Sequence, residues 1–253
     1  MSTSTQSAIG PVLVAHLSAP RFASYLAVAS DADHALELYR WNVEMAGALH
    51  EMLGLAEVFV RNAIDAELQK WNAAQPPGFG TTYDSRWVEN PARPLWAILN
   101  PPSSHPHAPR RSTYNTAFSR AEEDRHLRGS THRRHGMPVD HDDVVAHITF
   151  GTWKALLPRV QQNGTLGRPS QMVLWSGALQ DAFSHHKDPA VIGYWVNRLH
   201  GLRNRVAHLE PLLNTDVLSY HRTTSRLLRA IEPQLGDWYA GTSRVPSVAA
   251  QRP

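Results

Sequence analysis

The stretch that decides the fold is "PAVIGYWVNRLHGLRNRVAHLEPLL", residues 189–213. Ile192, Trp195, Val196, Leu199, Leu202 and Val206 recur at three- and four-residue spacing, which predicts an amphipathic helix over 189–208. Pro211 disfavours its continuation. Two arginines, an asparagine and a histidine crowd the end of this helix. At 100° per residue Arg203 falls about 40° from Leu199, on the apolar stripe, where a charge needs an anion or hydrogen-bond partners. Asn204 and His208 are four apart and share a face. Two readings stay open. In one, Arg203 pairs with a structural carboxylate and His208 faces water. In the other, the helix end handles phosphate and moves protons. Arg203 and His208 themselves diverge by about 140° on a straight helix, so one chain alone closes such a site poorly.

Outward from this stretch the same periodicity repeats. It predicts helices over 32–53 and 55–71, over 114–128, over 141–161 with a break or end near Pro158, over 170–183 capped by Ser170, and over 214–232 capped by Asn214 or Thr215. Residues 73–113 are dense in proline and glycine and read as loop, with at most one short helix near 87–99. Strand alternation is absent. The chain therefore reads as an all-α bundle of six or seven helices. Residues 1–20 form a flexible lead-in and 21–240 a single domain, with 73–140 a mostly loop-like insertion carrying one helix. Residues 241–253 form a tail that frays.

Composition narrows the function classes. Cysteine is absent, which excludes disulfides and thiolate metal sites and suits a reducing cytoplasm. No stretch approaches the roughly 18 apolar residues of a membrane span, and the N-terminus lacks the basic and apolar regions of a secretory signal. Lys70, Lys154 and Lys187 are the only lysines among 25 basic residues. Arginine brings a planar fork suited to phosphate.

Three blocks carry a family resemblance. "LRNRVAHLEPLL" (202–213) resembles the RNRxAHxEP signature of Abi-like proteins, the phage abortive-infection family within the HEPN superfamily. Residues 21–65, with "YRWN" (39–42) and "EVFVRN" (57–62), resemble its N-terminal block. "DDVVAHITFGTWKALL" (142–157) resembles its central Thr-Phe-Gly-x-Trp block. Leu209 departs from the pattern, which often has a second histidine there. The segment 73–140 matches no part of it. The resemblance implies a HEPN-like helical bundle, a homodimer, and a metal-independent RNA endonuclease acting as a toxin-like effector in abortive-infection defence. It implies Arg203 and His208 as the catalytic pair with Asn204 beside them, meeting across a dimer interface. No cofactor and no metal are expected. The expected partners are RNA, a second copy of the chain and an antitoxin, either protein or small RNA. The alternative is a non-catalytic RNA-binding or scaffold protein with the same fold.

Further candidates surround that pair. Glu57, four residues before Arg61, has the favourable orientation for an intrahelical ion pair. The functional reading has Glu57 orient an arginine while Arg61 or Asn62 contacts RNA. Residues 105–135 hold seven arginines against Glu122, Glu123 and Asp124, with Tyr114 and Phe118 interleaved. Arg128, Arg133 and Arg134 are expected to clamp the RNA backbone, as is Arg205; the plain alternative is a solvated loop. His126, His132, His135, His141 and His147 lie near Asp140, Asp142 and Asp143, but their spacing fits no strong zinc pattern. Trp41, Trp153, Trp175 and Trp195 are expected in the core.

Overall fold

The frame of the molecule is one long helix. The computed structural model describes residues 12–78, 80–102 and 112–253. Residues 12–17 and α1 (Ala19–Leu26) are helical and lead into α2 (Ala32–Ala73), 42 residues long. Asp31 caps α2 by accepting the His34 backbone N–H at 2.8 Å. The expected break at Gly54 does not occur. A helical glycine costs about 1 kcal/mol relative to alanine. Met52, Leu53, Ala56 and Val60 are all buried on either side of it, and each large apolar side chain contributes roughly 1.5–3 kcal/mol by burial. Burial on both sides carries the helix through.

The other helices follow in chain order: α3 (Leu95–Leu99), α4 (Thr113–Leu127), α5 (His141–Ala146) and α6 (Phe150–Leu156). Then α7 (Pro169–Leu174) runs through a π turn (Trp175–Leu179) to Gln180–Ala182. Last come α8 (Pro189–Ala207), α9 (Val217–Ile231), α10 (Pro233–Thr242) and α11 (Val245–Ala250). The fold is all-α. Among the described residues the only strand-like pairings are isolated bridges, Gly78 with Thr81 and Val160 with Leu166.

Several boundaries differ from the sequence-based expectation. The 141–161 helix is two short ones, α5 and α6, and the second ends before Pro158. Ser170 does not cap α7: Pro169 opens it, and the Arg168 N–H donates to the Gln171 side chain at 2.8 Å. The cap of α9 is Asp216, which accepts the Ser219 N–H, rather than Asn214 or Thr215. Residues 241–253 do not fray. Val245 and Val248 are buried against α2, Trp41 donates to Val248 O at 2.9 Å, and Arg252 donates to Leu213 O and lies over the Trp41 ring. Two valines three apart are too short a pattern to announce a helix. Likewise Phe22 and Tyr25 of α1 are buried, while residues 1–11 of the expected lead-in lie outside the described residues.

The proline-rich segment is mostly irregular, with α3 its short helix, but it is fastened to the core. Buried Asn72 donates to Asp84 O and Asn90 O and accepts the Ala92 N–H. Trp87, fully buried, donates its indole N–H to Asp65 at 2.7 Å and meets Trp153 edge-on. Trp41, Trp153 and Trp175 are core residues, whereas Trp195 is half-buried against His186.

Candidate functional site

The end of α8 is rigid, and local chemistry explains why. Asp188 caps its start, with Pro189 at the first helical position. Ile192, Val196, Leu199, Leu202 and Val206 bury one face. At the other end Glu210 N donates to Arg205 O and Leu209 N to Val206 O, each at 3.0 Å. Leu209 lies in the left-handed region, at φ 49°. This is the double-bonded C-terminal turn that usually employs glycine. Arg205 reinforces it, donating to Glu210 at 3.1 Å and to Pro211 O at 3.0 Å. Buried Asn42 then accepts the Leu212 N–H at 2.7 Å. His208 is the last residue of α8's backbone ladder, donating to Asn204 O. Arg205, expected to contact RNA, is a brace for this turn.

Arg203, Asn204 and His208 are all exposed. Arg203 is not buried on the apolar stripe. Its backbone position falls on that stripe, but a side chain of its length carries the guanidinium out to solvent. The contrast with its neighbours is informative. Arg198 is committed to Thr223 and Ser219 and lies over Tyr220, and Arg205 is committed to the turn. Among the described residues, the side chains of Arg203 and His208 make no hydrogen bond or ion pair.

Charge gathers along α8, which packs against both α2 and α6. Burial pushes the half-buried Glu57 carboxyl above the usual glutamate value, against the opposing pull of Arg203 and then Arg61. Arg61 donates to Asn62 at 3.3 Å, so the intrahelical pair with Glu57 is replaced by a longer-range relation between Glu57 and Arg203. Two residues that sequence reasoning passed over belong here. Lys154 Nζ lies 3.2 Å from His200 Nδ1, donating to the neutral ring. Burial lowers the pKa of His200, and Lys154 and Arg203 lower it further; burial and Arg159 likewise lower that of Lys154. One signal could have found His200: it lies three residues before Arg203 and four before Asn204, on one helix face. Lys154 comes from a separate helix and gave no such signal.

The basic segment is arranged differently. Arg128 Nη2 binds Asp143 at 2.8 Å and Asp124 at 3.2 Å, and its side chain is 5% exposed. Arg134 binds Asp143 at 2.8 Å, Asp140, and Pro138 O. Burial works to raise the Asp143 carboxyl, but Arg128, the Asp140 N–H and Arg134 outweigh it and hold it below the usual aspartate range. Asp140 caps α5 and Asp143 answers it, closing a reciprocal box. Arg128 and Arg134 are therefore internal counter-ions, not a free clamp. Arg133 alone of the three is exposed without a partner among the described residues. Residues 105–111 of the basic stretch lie outside the described residues. The nearby histidines disperse: His141 faces Asp65 at 3.0 Å and His135 lies against Arg128 O. Among the described residues no three His, Asp or Glu side chains are placed to hold a metal ion, and no helix is long and apolar enough to cross a membrane.

No family model, no curated protein and no solved structure matches this chain.

Proposed function

We propose that the end of α8 is the working edge of an RNA endonuclease of the HEPN type, assembled from two copies of the chain. One observation carries the reading. On a helix whose other arginines are engaged, Arg203 is left exposed and unpartnered beside exposed His208, on a backbone end that is firmly tied. Uncommitted groups on a stiff frame are what a site needs before substrate arrives.

The chemistry suits these side chains. His208 takes the proton from a ribose 2′-OH as that oxygen attacks the adjacent phosphorus. The bond from phosphorus to the 5′-oxygen breaks, and that oxygen leaves with a proton from an acid or water. The products are a 2′,3′-cyclic phosphate and a 5′-OH. The forked Arg203 guanidinium holds the charge that builds on the phosphoryl oxygens. The charge of Arg203 acts on the Glu57 carboxyl of α2, which places an acid within electrostatic range of the arginine. The steps use side chains alone, so cleavage persists in EDTA.

The proposal of two chains is motivated by geometry. α8 is regular through Ala207, so no kink turns Arg203 and His208 toward each other. A two-fold axis lets one chain supply the arginine and the other the histidine. Role as a toxin-like defence effector, and restraint by an antitoxin, rest on the sequence resemblance. The test mixes inactive Arg203→Ala and His208→Ala subunits on a defined RNA. Partial recovery of cleavage is expected. No recovery after verified subunit exchange rejects the shared site, and RNA bound but never cut by the wild type favours the non-catalytic alternative.

A further inference from the structure

A polar groove of about 720 Å³ lies between residues 159–163 and the N-terminal half of α8. That volume falls in the ordinary range for small-ligand sites. Its floor depends on Gly193. A Cβ there would stand 1.8 Å from Pro158 O, so only glycine lets the two backbones meet. The facing wall is a tight hairpin. Val160 and Leu166 bridge, Gln161 N donates to Thr165 O at 2.8 Å, and Gly164 takes a positive φ. Buried Gln171 fastens its root, donating to Ala155 O and Leu157 O. The walls are thus fixed by backbone bonds.

Two of the groove's side chains serve the hairpin: Gln161 donates to Gly167 O, and Asn163 accepts from the Thr165 N–H and hydroxyl. Tyr194 is 59% exposed at its rim. Among the described residues, the side chains of Arg159, Gln162, Tyr194 and Asn197 make no hydrogen bond or ion pair. The groove also points at the catalytic edge. At 100° per residue Gly193, Asn197, His200 and Asn204 fall within about 60° of one another; Tyr194 precedes Arg203 by about 14 Å of helix rise and stands about 180° from it, so a strand leaving the groove reaches Arg203 by crossing the His200 face. Cations mark the way between them. Arg159 acts on Lys154, Lys154 touches His200, and Arg203 acts on His200.

We infer that this groove seats an unpaired nucleotide of a single-stranded RNA, its base stacked on Tyr194 and its edge read by the amides of Gln162 and Asn197. Arg159, Lys154 and Arg203 then carry successive phosphates along α8. The identification of the strand as RNA rests on the ribonuclease reading. An aromatic face accepts a splayed base and not one held in a duplex, which sets the substrate class. Two amides, each with two N–H donors and an accepting oxygen, beside a stacking platform give the site a means of preferring some bases.

The experiment measures binding of a short fluorescein-labelled single-stranded RNA by anisotropy, using the full chain with His208→Ala to prevent cleavage. Adding Tyr194→Ala weakens binding about 10- to 100-fold, the range expected for one lost base stack. Tyr194→Phe stays within about 2-fold of the parent, because the ring remains. Arg159→Ala lowers the salt slope by about one. The matching duplex binds weakly and is indifferent to Tyr194→Ala. Because Tyr194 is exposed, thermal melts of these variants coincide with the parent. Unchanged affinity in Tyr194→Ala, or equal binding of duplex, overturns the inference. Tyr194-dependent binding by a wild type that never cuts RNA keeps the groove and rejects the ribonuclease. Cutting by a Tyr194→Ala enzyme with unaltered affinity and cut sites rejects the groove and keeps the ribonuclease.

Discussion

Two clusters of arginine in this chain look alike on paper and differ in the fold. Arg128 and Arg134 lie in the stretch with the densest positive charge, yet both close on Asp143, with Asp124 and Asp140 completing the set. Arg203 lies on an otherwise ordinary helix and, among the described residues, has no carboxylate within salt-bridge reach. The lesson is that charge density does not measure availability. A cation is free for a ligand when the fold withholds its counter-ion, and the counter-ion can come from another helix. Asp143 comes from α5 and reaches back to the loop after α4. Glu57 comes from α2 and stands off from Arg203, near enough to feel it without binding it.

The contrast can be broken most sharply at the free cluster. Under the proposed ribonuclease reading, His208→Ala lowers RNA cleavage by about 100-fold or more, the usual cost of losing a proton-transfer group, while circular dichroism and melting stay unchanged. Arg203→Lys falls nearly as far, because an ammonium cannot reproduce a two-pronged phosphate contact. Wild-type rates in either variant would move the chemistry elsewhere.

At the committed cluster the effect is on stability. Asp143→Ala strands two arginines and lowers the melting midpoint by on the order of 5 °C. The sign of its pH dependence is fixed. The folded Asp143 pKa is depressed, so its contribution is full above the unfolded value of 3.8 and is lost as pH falls toward the folded value. The gap between wild type and variant therefore narrows in acid. A gap that widened there would refute the ion-pair account. Between the two clusters sits Arg133: Arg133→Ala trims the salt slope of RNA binding by about one, whereas Arg128→Ala and Arg134→Ala register as lost stability. The smallest change is at the turn beside His208. Leu209→Gly relieves a left-handed leucine and raises stability by about 0.5–1 kcal/mol, read from chemical denaturation.

Much of the helical content was legible because apolar spacing, caps and prolines are local signals. The face of α8 buried through Ile192, Val196, Leu199, Leu202 and Val206 was readable residue by residue. The motif Arg203, Asn204 and His208 was readable too, since it occupies one helix end. Signals of the same local kind misled at Gly54, where a glycine suggested an end and burial on both sides kept the helix going. They also misled at the terminus, where Trp41 and Leu213, distant in sequence, hold α11 and Arg252 in place.

What the sequence by itself determined is an all-α chain without cysteine, with a helix end bearing Arg203 and His208. Only the tertiary structure decided which charges are free. It drew Arg128 and Arg134 onto Asp143, set Arg205 to bracing its own turn, and brought Lys154 beside His200. The physical reason is that helix periodicity repeats every few residues and can be counted. Pairing of charges depends on which surfaces burial brings together, across separations such as the 46 residues between Lys154 and His200. No local pattern encodes that distance.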